Sequence, residues 1–189
     1  MIIFLLALVA MVGFISWKQN SVTEINYNQT YTFNAKRTTG APPSYIVFLD
    51  ESHYLAIPEL NLENDCNQAF GVDFIQGTYR KREDVYKFEK KGKVTNLWFD
   101  NYENFEAGKY TIQRGKINAE NKYLTFASGT ISKERLSFVY KHIIRIYNSG
   151  KTDRYKRNNF KLKRTKFNIP TTEKEFIQRY HKKQGHQQE

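Results

Sequence analysis

The strongest constraint on this chain is the way tyrosine and phenylalanine recur at every second position in short segments closed off by Gly, Pro, Asn or Asp. Thr30 to Lys36 sets Tyr31 and Phe33 against Thr30, Thr32 and Asn34, and Tyr86 and Phe88 flank Lys87 in the same way. A repeat of two is the side-chain period of a β-strand, which turns one set of residues to a core and the other to solvent. With 13 Tyr and 14 Phe against 2 Met, the rings favour a pleated surface over a helical one. The pattern predicts a mainly β domain, an antiparallel meander forming a sandwich or barrel.

Turn residues divide the meander. Tyr45 to Leu49 and His53 to Ile57 read as a hairpin around Asp50, Glu51 and Ser52. Pro58 to Asn67 has no periodicity and reads as a loop. Further strands are expected over Phe74 to Arg82, Val85 to Glu89 and Val94 to Phe99, with a turn at Lys90-Lys91-Gly92-Lys93. Asp100 to Glu106 reads as a loop, followed by strands at Lys109 to Gln113 and Tyr123 to Phe126.

Leu136 to Tyr147 satisfies two periods at once. Leu136, Val139, Tyr140, Ile143 and Tyr147 share a helical face, whereas Leu136, Phe138, Tyr140, His142, Ile144 and Ile146 alternate as a strand. The turn residues Asn148-Ser149-Gly150, with Tyr155 beyond them, favour a strand and its returning partner. Further on, Thr172 with Glu175 three residues later is a capping box, predicting a short C-terminal helix to about Gln184 with Phe176, Ile177 and Tyr180 as its apolar stripe.

Met1 to Trp17 carries no charge, and as a helix it would span about 25 Å at ~1.5 Å per residue. That suits a transmembrane anchor in a thin or adapted bilayer, with Trp17 and Lys18 at the membrane interface. The alternative is a cleaved signal peptide, although no basic residue precedes the apolar run and Ala7, Ala10, Gly13 and Ser16 stand three apart. The expected organisation is an anchor or signal peptide over 1–18, a linker over 19–28, the β domain over 29–167, and a C-terminal helix and tail over 168–189. Lys18 alone would keep the domain on the cytoplasmic side by the positive-inside rule, but long domains are translocated largely regardless of charge.

Charge is uneven. Residues 151–189 hold 12 Lys and Arg against 4 acids, out of a chain total of +11. The run that includes Lys156, Arg157, Lys161, Lys163, Arg164 and Lys166, with Tyr155, Phe160 and Phe167 interleaved, has three readings. It protects a strand edge with lysines, binds anionic lipid headgroups, or holds a nucleic-acid backbone or acidic protein partner.

Catalytic chemistry finds little support. His53, His142, His181 and His186 are scattered, and Cys66 is alone, so neither a zinc-ribbon spacing nor an intrachain disulfide is possible. The acid pairs Asp50 with Glu51 and Glu83 with Asp84 sit beside turns, where solvated carboxylates are expected. There is no Gly-x-Ser-x-Gly elbow and no phosphate-cradling glycine loop. No catalytic residue, metal ligand or cofactor is expected.

Gly77-Thr78-Tyr79, Tyr86-Lys87-Phe88 before Gly92, Gly108-Lys109-Tyr110 with Ile112, Leu124 with Phe126, and Leu136 to Tyr140 before Asn148-Ser149-Gly150 and Tyr155 together resemble the small lipocalin-like domains of bacterial envelope proteins. The resemblance runs from Gly77 to Arg157, with Tyr79 where the lipocalin signature has Trp. It implies an up-and-down barrel or half-barrel without catalytic machinery, and a place in the cell envelope, which favours the extracytoplasmic side over the cytoplasmic one. The functional expectation is a non-enzymatic, membrane-anchored or exported domain binding an apolar ligand, a lipid surface or a partner protein. The alternative is a cytoplasm-facing module whose basic tail binds nucleic acid or anionic lipid.

Overall fold

A computed structural model describes residues 22–33, 45–57, 69–117, 129–146 and 154–181, with backbone alone over 142–146 and 154–158. The ring-bearing alternating segments are strands. They are β1 (Thr30–Phe33), β2 (Tyr45–Phe48), β3 (His53–Ile57), β4 (Phe70–Arg82), β5 (Val85–Phe99), β6 (Thr111–Lys116), β7 (Thr130–Glu134), β8 (Ser137–Ile146) and β9 (Arg154–Arg164). Two helices accompany them, α1 (Tyr102–Glu106) and α2 (Glu173–His181).

Pairing is antiparallel throughout and runs β4-β3-β2-β1-β9-β8-β7-β5, with β4 also joined to β5, so eight strands close into a barrel. The mainly β fold expected from the alternation therefore forms, and of the sandwich and the barrel it is the barrel that closes. β6 stays outside the closure and pairs along β5 from Lys93 to Trp98. The ambiguous segment after Leu136 is a strand, β8, because it finds partners on both sides, β7 and β9.

Inward-facing rings fill the barrel. Tyr31, Phe48, Tyr54, Tyr79, Phe138 and Tyr140 are almost wholly buried, and neighbouring centroids lie 4.8 to 5.7 Å apart in pairs such as Tyr54–Phe88, Phe48–Tyr79 and Tyr86–Phe138. Edge-to-face contacts of this kind add about 0.5–1.5 kcal/mol each to simple burial. Tyr79, in the place of the lipocalin tryptophan, donates its hydroxyl to the Asp50 carbonyl and so satisfies its one polar atom at the barrel rim.

Several expectations need correction. Lys90 to Lys93 is no turn, because β5 runs unbroken through it and the reversal lies at Glu83, whose φ of 51° is left-handed. Gly92, at φ 150°, faces Gly77 across the β4–β5 ladder, and a Cβ on it would meet the Gln76 carbonyl. The glycine thus bends two long strands at one point rather than ending them. Residues 22–28, in the expected linker, pack across the rim: Val22 and Ile25 are buried, Phe138 N donates to Val22 O at 2.9 Å, and Asn28 N donates to Phe48 O at 2.8 Å. An open barrel end would leave rings in water, and this segment covers them. The loop after Asp100 holds helix α1, capped by the Asn101 side chain accepting from Asn104 N at 2.8 Å. β7 was not foreseen. The expected loop over Pro58 to Asn67, the strand at Tyr123 to Phe126 and the turn at 148–150 lie outside the described residues.

A second core forms on the outside of one wall. The outward residues of β2, β3 and β4, among them Val47, Leu55, Ile57, Val72 and Phe74, pack with Leu97 and Phe99 of β5 beneath the two helices. Phe176 of α2 is fully buried, its ring stacked on Phe74 at 5.1 Å. The capping box opens this helix as expected, with Glu175 N donating to Thr172 Oγ1 at 3.1 Å and Thr171 N to Glu175 Oε2 at 2.8 Å. An Arg114–Glu173 ion pair at 2.6 Å ties it to β6.

Candidate functional site

On the opposite wall the outward positions read differently. Phe160 and Leu162 of β9 point into the barrel, which turns Lys161 and Lys163 to solvent, where both are exposed. Register carries the same outward face across the wall: Lys161 stands opposite Val139, Val139 opposite Ser132, and Ser132 opposite Val85. One row along, Asn159 faces Lys141, Lys141 faces Thr130, Thr130 faces Lys87, and Lys87 faces Arg80. Both described helices pack on the other wall.

Acids on this face are already engaged. Lys141 pairs with Glu134 at 2.6 Å and Arg80 with Glu89 at 2.5 Å. Glu89 also accepts from Thr78 Oγ1 at 2.9 Å; these hydrogen bonds and the adjacent cations hold its carboxyl below the usual glutamate value despite some desolvation. Among the described residues no carboxylate closes an ion pair with Arg82, Lys87, Lys90, Lys91, Lys161 or Lys163.

The residues expected to bind anions are thus placed unequally. Lys161 and Lys163 share the outer face of β9. Arg164 lies at the rim beside the Tyr31 phenol, whose burial raises its pKa while Asn26 and Arg164 act in the opposite direction. Lys166 is exposed just past the strand, where the chain turns towards Phe167, which stacks on Tyr45 at 4.4 Å. Lys156 and Arg157 stand opposite Ile144 and Ile143 in the ladder, and their side chains are outside the described set. Trp17 and Lys18 also lie outside it.

β9 lies in the barrel wall, joined to β8 over Arg154 to Lys161 and to β1 over Leu162 to Arg164. The basic run is no loose tail, since most of it is a strand in the closed barrel.

Sequence reading missed a second basic group. Arg80, Arg82, Lys87, Lys90 and Lys91 line a cleft of about 620 Å³ on β4 and β5. The signal was present in Arg80-Lys81-Arg82 and in Lys87 to Lys93, but it becomes one group only once the register is known.

His53 Nδ1 lies 2.9 Å from Asp50 Oδ2 in an exposed turn, and His181 faces Tyr110. Asp50 accepts from Ser52 N at 2.7 Å and His53 N at 2.8 Å, and these bonds lower its pKa to about 2. Among the described residues no group of three His, Cys, Asp or Glu side chains is placed to hold a metal. Cys66, His186 and the His142 side chain lie outside them. No described helix is long and apolar enough to cross a membrane.

No protein-family model matches this chain, and no curated protein or solved structure matches it.

Proposed function

We propose that this chain is a non-enzymatic β-barrel module, held at a membrane by its apolar N-terminal stretch, that lays its basic wall on anionic lipid headgroups. The observation that carries the reading is the outward face of β9: Lys161 and Lys163 are exposed on the wall that neither described helix covers. Juxtamembrane cations contribute about 1 kcal/mol each beside an anionic surface, and several on one face add up. An apolar ligand inside the barrel is the weaker option, because rings occupy the described interior. The likeness to lipocalin-like envelope domains belongs to the same proposal, supported by the closed eight-strand meander. It favours an extracytoplasmic domain, with the cytoplasmic side as the alternative.

The test uses the full chain held in phosphatidylcholine nanodiscs and challenged with phosphatidylglycerol vesicles. Replacing Lys161, Lys163 and Lys166 by Gln removes three charges and is expected to weaken capture roughly 100-fold, at about fivefold per charge. Capture equal to that of the parent chain overturns the lipid reading. Tighter binding to an oligonucleotide than to the vesicles would favour nucleic acid instead. Recovery from membranes at full mass supports an anchor, and loss of the leader a signal peptide.

A further inference from the structure

We infer that the bulged seam of β5 is a binding site for a ligand carrying two neighbouring phosphate groups. The inference goes beyond the lipid reading and stands on different residues.

β5 pairs with β7 over Val85 to Lys87 and with β6 over Lys93 to Trp98, so Phe88 to Gly92 lie where the neighbouring strand changes. On the other side, the ladder to β4 shifts register there. Between the pairs Tyr79↔Phe88 and Gly77↔Gly92, Thr78 alone stands opposite Glu89, Lys90 and Lys91. A bulge of this kind re-aims side chains and breaks regular pairing, and Gly92 supplies the backbone it needs.

The cleft at this seam collects five cations, Arg80, Arg82, Lys87, Lys90 and Lys91, against the single acid Glu89. Its volume, about 620 Å³, falls within the range of roughly 300–1,000 Å³ usual for small-ligand sites. Arg80 and Lys87 are direct cross-strand partners, and like charges so placed repel unless an anion lies between or beside them. Glu89 pairs with Arg80 at 2.5 Å and has Lys91 as a second nearby charge, while among the described residues no carboxylate closes an ion pair with Arg82, Lys87, Lys90 or Lys91. A guanidinium fork and ammonium groups together suit phosphate oxygens. Half-exposed Val85 supplies an apolar border on one side. A diphosphate matches the number of free cations better than a single carboxylate does.

Inorganic pyrophosphate, titrated calorimetrically into the full chain in phosphatidylcholine nanodiscs at about 0.15 M salt, is the direct probe. Saturable binding to one site, with a rise in melting temperature, is expected. The combined Arg82→Gln, Lys87→Gln and Lys91→Gln variant should lose roughly 100-fold in affinity, and Glu89→Gln should gain about fivefold by removing the competing charge. Lys161→Gln with Lys163→Gln should leave pyrophosphate binding unchanged while weakening vesicle capture, so the two proposals can fail separately.

Vesicles containing phosphatidic acid separate the sources. Capture that pyrophosphate displaces points to a lipid phosphate, and pyrophosphate binding without such capture to a soluble ligand. The site is overturned if pyrophosphate binds no better than chloride at equal ionic strength, or if the cleft variant binds it like the parent. Oligonucleotide binding in which all lysines count equally, with no pyrophosphate saturation, overturns it as well.

Discussion

The two outer walls of this barrel share an interior and differ in what their alternate residues face. On the β2–β4 wall the outward set is aliphatic and aromatic, and it is buried under α1, α2 and the segment that leads to α2. On the β7–β9 wall the outward set is Thr130, Ser132, Lys141, Asn159, Lys161 and Lys163, with no described helix upon it. Val139, buried at the centre of that wall, is the exception. Among the described residues, the outward apolar surface is concentrated on one side. The helix is a structural cover there, and the other side shows lysines among its described outward residues.

The largest way to break this contrast is through the shared interior. Burial raises the pKa of Tyr31, Tyr54, Tyr79, Tyr86 and Tyr140 above the ordinary value of 10.0. Their contribution to stability is fully present below pH 10.0, and it is lost as pH rises from there towards the folded-state values, because only the unfolded chain ionises them easily. Alkaline titration followed by tyrosinate absorbance should show the buried phenols ionising together with loss of the barrel's circular dichroism. Gradual ionisation in an intact fold would contradict the packed interior.

A smaller effect separates the walls. Phe176→Ala removes the ring stacked on Phe74 and should cost about 3–5 kcal/mol, felt first as release of α2. Hydrogen exchange should then rise in the helix amides before those of β8 and β9. Next, Gly92→Ala puts a Cβ against the Gln76 carbonyl and should cost about 1–3 kcal/mol, measured by urea denaturation, loosening the bend that joins the walls.

At the rim, Asp50 has a folded pKa depressed to about 2 from 3.8, chiefly by the bond from Ser52 N. Its stabilising effect is present above pH 3.8 and is lost as pH falls through about 2, so Asp50→Asn should flatten the acid limb of a stability profile. The smallest change belongs to the basic wall. Lys163→Gln should alter stability by no more than about 0.5 kcal/mol while reducing vesicle capture, which would separate binding from folding on that face.

Much of this was legible from local pattern. Tyr45 to Phe48 and His53 to Ile57 were recognisable because alternation and the Asp50 turn act within a dozen residues. The Thr172–Glu175 box marked the start of α2 for the same reason. The Lys90–Lys93 stretch reads as a turn because lysine and glycine are turn residues, whereas pairing with β4 on both sides of the bulge keeps the strand continuous. The cleft cations were visible one by one, but Arg80 and Lys87 become a pair only through pairing of β4 with β5.

Taken alone, the order of residues determined which stretches extend, which rings point together, and where the C-terminal helix begins. Those depend on periodicity and on caps spanning one or two turns. Tertiary structure decided that β9 joins β8 to β1, that β6 leaves the barrel, and that both described helices cover one wall while lysines stand on the other. These choices arise from contacts between residues far apart in the chain, where closure and register, and not local preference, set which charges become neighbours.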